Sequence, residues 1–358
     1  VVVHHPSAAV AQVDDMAQRA RGALYGLAIG DALGMPTQML SRREIIERWG
    51  GMLTGFEPAP HDHPIAAGQP AGAVTDDTEQ AVLLGRLLVG GGGTVDARKL
   101  VSVLVAWEAD MAARGSLDLL GPSTRRALAA VRAGTPPDEA GASGDTNGAA
   151  MRIAPVGIAV SVAGADGRIG AGESLAALVD RVVEASRVTH NTGLALAGAA
   201  AVAAAVSAGI AGASVPEATE TAVAAARLAA GRGHWVAGAD VAARIEWATG
   251  LVAARPALAA AEMIYRLVGT SLATQESVPA AFATLSVLPD DPWRACRLAA
   301  SLGGDCDTIA AMAGAISGAC HGLAAFPGEA VAVIHAHGLG LSALADRLLA
   351  LRLRDRPG

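Results

Sequence analysis

From Gly193 to Val215 the chain reads GLALAGAAAVAAAVSAGIAGASV, without one charged side chain. A run of that length suffices to cross a bilayer at about 20 residues, so it has to be buried, in lipid or in protein. Its residues are mostly Ala and Gly, which transfer into lipid weakly beside a Leu, Ile or Phe span, and no aromatic belt or basic flank accompanies it. A closely packed helix inside a soluble protein is the expectation, with no membrane partner.

The rest of the chain follows the same economy. Aromatic residues are 3%, and Leu, Val and Ala recur at helical rather than alternating spacing. Helices are predicted over Met16 to Leu33, Glu79 to Val89, Ala97 to Ala113, Leu175 to Val188, Pro216 to Ala230, Val241 to Ala253, Trp293 to Leu302 and Ile309 to Ala324. Strands are scarcely suggested. Short breaks of Gly, Pro, Asp and Ser separate the helices, among them Gly90 to Gly93, Gly164 to Gly167 and Pro289 to Pro292. No linker, charge block or fixed-period repeat divides the chain, so the fold class expected is all-α: a compact, single-domain, multi-helix fold over residues 21–352 behind an N-terminal extension of residues 1–20. The weakly patterned stretch Gly50 to Val74, with four prolines, reads as a surface or active-site loop.

Charge narrows the partners. The 27 Lys and Arg against 34 Asp and Glu leave a formal net charge of −7, and basic residues cluster no further than pairs such as Arg42-Arg43. That balance argues against nucleic acid. Cys296, Cys306 and Cys320 are too few and too far apart for a disulfide framework or a zinc site. Val1 to Val10 lacks the pattern of a secretory signal. A cytoplasmic location is expected, with a monomer as the default.

In a chain with only 17% charged residues, two acidic clusters stand out. Val74-Thr75-Asp76-Asp77-Thr78-Glu79 precedes one apolar helix, and Gly303-Gly304-Asp305-Cys306-Asp307-Thr308 precedes another. Helix capping explains one carboxylate per helix: Asp77 with Gln80 fits a capping box, and Asp305 or Asp307 fits a cap. Two carboxylates per cluster would repel without a cation, and the helix dipole offsets only about 0.3–1 kcal/mol each. Hard oxygen ligands with neighbouring Thr hydroxyls, and no His or Cys pattern, select Mg²⁺, Mn²⁺ or Ca²⁺. If the clusters meet in space, four carboxylates can hold two ions. Capping and metal binding both remain open on the residues alone. A third segment, Ser143-Gly144-Asp145-Thr146-Asn147-Gly148-Ala149-Ala150-Met151-Arg152, reads as a turn or as a loop presenting backbone N–H groups to an anion. His190, just before the uncharged run, reads as a capping or core histidine.

Taken together and in order, these segments resemble the ADP-ribosylglycohydrolase family. The similarity begins at Gly22-Ala23-Leu24-Tyr25-Gly26-Leu27-Ala28-Ile29-Gly30-Asp31-Ala32-Leu33-Gly34-Met35-Pro36 and continues through Thr75 to Thr78, Asn147 to Arg152 and Thr189-His190. It closes with Gly303 to Ala310, so that roughly residues 20 to 325 are covered. The resemblance implies an all-α fold and a binuclear centre of two Mg²⁺ or Mn²⁺ ions, with ligands at Thr75, Asp76, Asp77, Asp305, Asp307 and Thr308. It places Gly144, Asn147, Gly148, Met151 and His190 on the diphosphate and adenosine side of the pocket, with Gly121 and Ser123 contributing. The implied activity is hydrolysis at C1 of ADP-ribose, releasing it from a side chain of an ADP-ribosylated protein or from a small acceptor, with Asp76 or Asp305 as base. Two other readings stand beside it: hydrolysis of a nucleoside-like or other small ribosyl compound, and a non-catalytic ADP-ribose-binding or structural protein. Two positions depart from the family pattern. Gln38 stands where relatives often carry Glu, and Cys306 where Thr is usual between the aspartates. A neutral amide cannot act as a base and is a weaker Mg²⁺ ligand.

Overall fold

The computed structural model describes residues 8–116, 120–164, 168–170 and 172–354. Among them the chain forms eighteen α-helices and no strand, only isolated bridges such as Thr146 to Ala273. Apart from the first, which was expected from Met16 and begins at Ala8, the expected helices appear within a few residues of their predicted ends, for example Ala97–Ala113, Val241–Val252 and Pro292–Ala300. The first helix runs unbroken from Ala8 to Gly34, so the boundary expected at residue 20 falls inside it, where Met16 and Ala20 already pack into the core. Residues 1–7 and 165–167, which include most of the Gly164 to Gly167 break, lie outside the described residues.

Two helices from opposite ends of the sequence touch backbone to backbone. Gly22, Gly26, Gly30 and Gly34 repeat every four residues and so line one face of the first helix. They lie against Gly318, Gly314, Ala310 and Asp307 of the helix Cys306–His321, running antiparallel. A Cβ at Gly30 would stand 2.0 Å from the Ala310 carbonyl oxygen, one at Gly26 2.1 Å from that of Gly314, and one at Gly34 2.2 Å from Asp307 Cα. No side chain fits between these helices.

The uncharged run forms the helix Gly193–Ile210, capped by the Thr192 hydroxyl, which accepts from Ala195 N at 3.2 Å. Every residue from Ala195 to Ile210 is buried. A Cβ at Gly198 would meet Thr274 and one at Gly209 would meet Ala319, so the helices Thr274–Val287 and Cys306–His321 press directly on it. From Ala195 to Ile210 the run is buried in protein, as its composition led one to expect, while Gly212 and Ser214 in the turn after it are exposed.

Substituting Gly30 by Ala should force the two helices apart and lower stability by about 1–3 kcal/mol or more, the cost of overpacking. Gly90→Ala, where an added Cβ meets nothing, serves as the control and should be neutral or slightly stabilising through helix propensity. Denaturant unfolding of both variants checks this. Equal stabilities would contradict the close contact.

Candidate active site

The glycine ladder ends where the acidic residues begin. Because Gly34 seats against Asp307, the carboxylate of Asp31, one turn earlier in the same helix, faces the start of the helix Cys306–His321. Asp31 is fully buried and accepts hydrogen bonds from Thr75 N at 2.9 Å, Thr75 Oγ1 at 2.7 Å, Thr78 N at 3.2 Å and the Thr78 hydroxyl. It thereby docks the start of the helix Asp76–Gly90, whose N-cap is Thr75. Across 231 residues of sequence, Thr308 Oγ1 donates to Asp77 Oδ2 at 3.2 Å. The two acidic helix starts therefore meet.

At the meeting point, carboxylate oxygens of Asp31, Asp77 and Asp307 lie within 4.8 Å of one another, and all three residues are buried. Burial, followed by the charges of Asp307, Asp31, Asp76 and Asp305, holds the Asp77 carboxyl well above the ordinary carboxylate range. Asp31 is pushed up to about 6 by burial, against hydrogen bonds from Thr78 and Thr75 that favour its charged form. Asp77 Oδ1 is buried without a hydrogen-bond partner. A desolvated carboxylate oxygen of this kind costs free energy unless something cationic meets it. Hard carboxylate oxygens converging from three residues, the unsatisfied Asp77 Oδ1 among the buried ones, fit a divalent cation of the Mg²⁺ or Mn²⁺ type.

Asp305 occupies the N-cap position of its helix without capping it. Its carboxylate accepts instead from the Asn147 side-chain amide, and burial pushes it up to about 6, opposed by bonds from Asn147 and Thr308. The turn before it is held in the left-handed region at Gly303 and Gly304, φ 94° and 72°, and a Cβ at Gly304 would lie 2.4 Å from the Thr270 carbonyl oxygen. A cavity opens above these groups. Asp76, Asp305, Asp307 and Thr308 line it on the acidic side, with Gln38, Gly121, Asn147, Gly148 and Met151 among the remaining wall residues.

Several positions differ from the sequence reading. The Asp77 and Gln80 capping box does not form: Thr75 is the N-cap, and Gln80 Nε2 donates to Asp76 Oδ2 at 2.9 Å. Thr75 and Asp77, expected as metal ligands, lie beneath the cavity at the floor cluster, where Asp77 converges with Asp31 and Asp307. His190 stands behind the Gly-rich loop, 1% exposed, and supports it: a Cβ on Gly148 would lie 2.9 Å from His190 Cε1. Gly144 is likewise a seating contact, its carbonyl accepting from Thr192 Oγ1 at 2.7 Å, and Ser123 is buried with its hydroxyl accepting from Arg126 at 3.1 Å. The loop before the Asp76 helix does reach the site, since Ile65 lines the cavity and His63 Nε2 is 2.9 Å from the Gln38 carbonyl oxygen. Sequence reasoning missed Asp31 and Arg125, while Thr146, within the Gly144 to Met151 loop expected at the pocket, lines the cavity. Arg125 lines the cavity with its Nε donating to Leu120 O at 2.7 Å. Asp31 had a signal: a lone carboxylate inside an otherwise apolar helix face, within the first shared motif.

Comparison with known proteins gives matches of sequence and of fold over most of the chain. Residues 12–357 match the family model described as ADP-ribosylglycohydrolase. The uncharacterized protein YegU of Escherichia coli (strain K12) is 37% identical over 307 residues, 86% of this chain and 88% of its own. An ADP-ribosyl-[dinitrogen reductase] glycohydrolase of Rhodospirillum rubrum is 31% identical over 183 residues, 48% of this chain and 51% of its own. A solved structure described as an ADP-ribosylglycohydrolase-related protein complex superposes with a TM-score of 0.66 at 25% identity, covering 94% of this chain and 99% of that one.

The raised carboxylates set a pH dependence. Between the ordinary carboxylate range and about 6, folded Asp31 and Asp305 hold protons that the unfolded chain has lost, so these groups take stability away from the metal-free protein as pH rises through that window. A divalent ion binds the deprotonated forms, and its stabilising effect grows over the same window. Thermal unfolding with and without Mn²⁺ should show a small rise in Tm at about pH 5 and the full rise by about pH 7.5. A rise of equal size at both would refute the assignment of the ion to these carboxylates.

Proposed function

The chain belongs to the ADP-ribosylglycohydrolase family, and from that premise we propose that it is a metal-dependent hydrolase that cleaves the bond between C1 of ADP-ribose and an acceptor. The observation that carries this reading is the hydrogen bond from Thr308 to Asp77, which brings two acidic helix starts together with Asp31 at the floor of an open cavity. Asp31, Asp77 and Asp307 would hold one divalent ion, with Asp76, Asp305, Thr75 and Thr308 beside them for a second. The chemistry such ions supply when bound is Lewis acidity toward ribose oxygens and toward water.

The protein's own groups account for the remainder. Breaking a ribosyl bond builds positive charge on the sugar ring, which buried carboxylates stabilise more strongly than water does. Water adds at C1 as the bond to the acceptor breaks, its proton passes to a carboxylate, and the acceptor leaves with a proton. Asp305 suits the proton transfer, because it lines the cavity, is oriented by Asn147, and is raised to about 6, close to working pH. Asp76, also on the wall, is the other candidate. Gln38 takes a place on the wall where it binds and orients without exchanging a proton.

One observation favours a second reading. Met39, Ile65, Leu120 and Leu272 form an apolar part of the wall, and among the described residues that line the cavity the carboxylates are Asp76, Asp305 and Asp307 alone. If those three are committed to ions and catalysis, no further acid remains to pair with a cationic acceptor, which suits a neutral acceptor such as the leaving group of a small ribosyl compound.

Asp305→Asn and Asp76→Asn should each reduce turnover of ADP-ribosyl-arginine or of a small ribosyl substrate by about 10²–10⁴-fold, with helix content unchanged by circular dichroism. Chelation should silence the wild-type protein, and Mg²⁺ or Mn²⁺ should restore it. Assaying ADP-ribosyl-arginine and free nucleosides side by side decides between the two readings. Full activity in both variants, or restoration by zinc alone, would overturn the site assignment.

A further inference from the structure

Arg152 is 1% exposed, one of the largest fully buried side chains in the protein, and its guanidinium hydrogen-bonds to two neutral side chains. NH1 donates to Gln80 Oε1 at 2.9 Å and NH2 to Thr189 Oγ1 at 2.6 Å. Each of these leads to the cavity. We propose that Arg152 is a positioning residue whose two-way donation fixes the amide of Gln80 against Asp76 and, through Thr189 and His190, aims the hydroxyl proton of Thr146 into the cavity.

The polarity follows from the fact that a guanidinium has donors and no acceptor. On one arm, Gln80 must turn its oxygen to Arg152, which leaves its NH₂ for Asp76 Oδ2 at 2.9 Å. A flipped amide would set oxygen against carboxylate. On the other arm, Thr189 Oγ1 accepts from Arg152, so its own proton goes to His190 Nδ1 at 2.8 Å, a shorter contact than the 3.5 Å to Ser186 O. An imidazole that accepts at Nδ1 carries its proton at Nε2, and Nε2 lies 3.0 Å from Thr146 Oγ1. Thr146, having accepted, has its own hydroxyl proton left to donate, and it lines the cavity. Burial, followed by the charges of Arg152 and Arg126, holds His190 well below its ordinary pKa and keeps it neutral, as this chain of donors requires. Arg152 itself is pushed down to about 10 by burial, against the charge of Asp76, and stays cationic at neutral pH.

The consequence is a single buried cation that orients a carboxylate acceptor on the metal side and a hydroxyl donor for a substrate oxygen on the other. The inference rests on the metal-dependent reading above for what Asp76 and Thr146 meet, and its geometry is independent of turnover. Imidazole ¹⁵N shifts of His190 report the tautomer, and electron paramagnetic resonance reports Mn²⁺ affinity. Wild-type protein should show protonated Nε2 and bare Nδ1. Thr189→Val should convert His190 toward the Nδ1-protonated form and raise KM, leaving Mn²⁺ affinity intact, while Thr189→Ser restores the wild-type tautomer. Gln80→Met should weaken Mn²⁺ binding about 10-fold, as loss of a group supporting a ligand does, with the His190 tautomer unchanged. Arg152→Met should show both effects. A folded Arg152→Met protein with wild-type tautomer and Mn²⁺ affinity overturns the proposal. Should that variant not fold, an unmoved tautomer in Thr189→Val or an unmoved Mn²⁺ affinity in Gln80→Met overturns it equally. Wild-type protein that binds no Mn²⁺ would sink the metal-dependent reading and the Gln80 arm with it, while the His190 tautomer still decides the other arm.

Discussion

The contact between the first helix and Cys306–His321 fixes the rest of the molecule. The first helix presents glycine every four residues to Gly318, Gly314, Ala310 and Asp307, so backbone meets backbone, and at Gly22, Gly26 and Gly30 the hydrogen that replaces Cβ points at a facing carbonyl oxygen. Such Cα–H···O contacts are worth roughly 0.5–1 kcal/mol each. Their greater effect is on register, because a shift by one residue would drive Ala23, Leu27 or Asp31 into a space that holds no side chain. Register in turn places Asp31 beside Asp307. The low aromatic content of the chain follows from the same constraint: helices packed this tightly, with the alanine-rich Gly193–Ile210 buried among them, leave little room for rings.

That geometry sets up an electrostatic problem and most of its solution. Carboxylates in a dry interior destabilise the fold unless each oxygen finds a donor or a cation. Asp31 is satisfied by the main chain and hydroxyls of Thr75 and Thr78, Asp305 by Asn147, and Asp76 by Gln80. Asp77 keeps one oxygen unsatisfied at the point where three carboxylates converge. The nearby cation is held off by design of the network: between Arg152 and Asp76 stands the neutral amide of Gln80. A direct ion pair would have neutralised Asp76 and competed with a metal for it. An amide passes on orientation and leaves the charge in place.

How much of this could be read in the sequence depends on how local each cause is. The helices were legible because their period is carried by neighbouring residues, and so were the acidic helix starts, since Thr75, Asp76, Asp77 and Asp305, Asp307, Thr308 are contiguous and chemically odd in an apolar chain. The burial of Gly193 to Ile210 was legible from the absence of charge. Asp31 was not, although it sits in a motif that was noticed: mid-helix, it has no capping role, and only the register of the glycine ladder brings it to Asp77. Gln80 was misread for the complementary reason. Its spacing from Asp77 satisfies the local pattern of a capping box, and a fully buried Arg152, 72 residues further on, claims its side chain instead. His190 shows the same limit, because nothing local tells a histidine that lines a pocket from one that supports the pocket's wall from behind.

The place of Gln38 illustrates how firmly the backbone around the cavity is held. Met39 N donates to Gly304 O at 2.8 Å and Gly304 N to Leu40 O at 2.9 Å, so the segment after the first helix is stitched to the turn that presents Asp305. That turn is tied again by Asp305 N to Thr270 O at 2.7 Å, and the loop through His63 holds the Gln38 carbonyl from the other side. Met39 is carried with φ 62°, a left-handed conformation that a non-glycine residue adopts only where its surroundings impose it. So constrained a backbone fixes where the side chain of residue 38 starts, whichever group ends it. Gln38 therefore presents an amide on a wall whose carboxylates are Asp76, Asp305 and Asp307, and an amide brings neither charge nor base there.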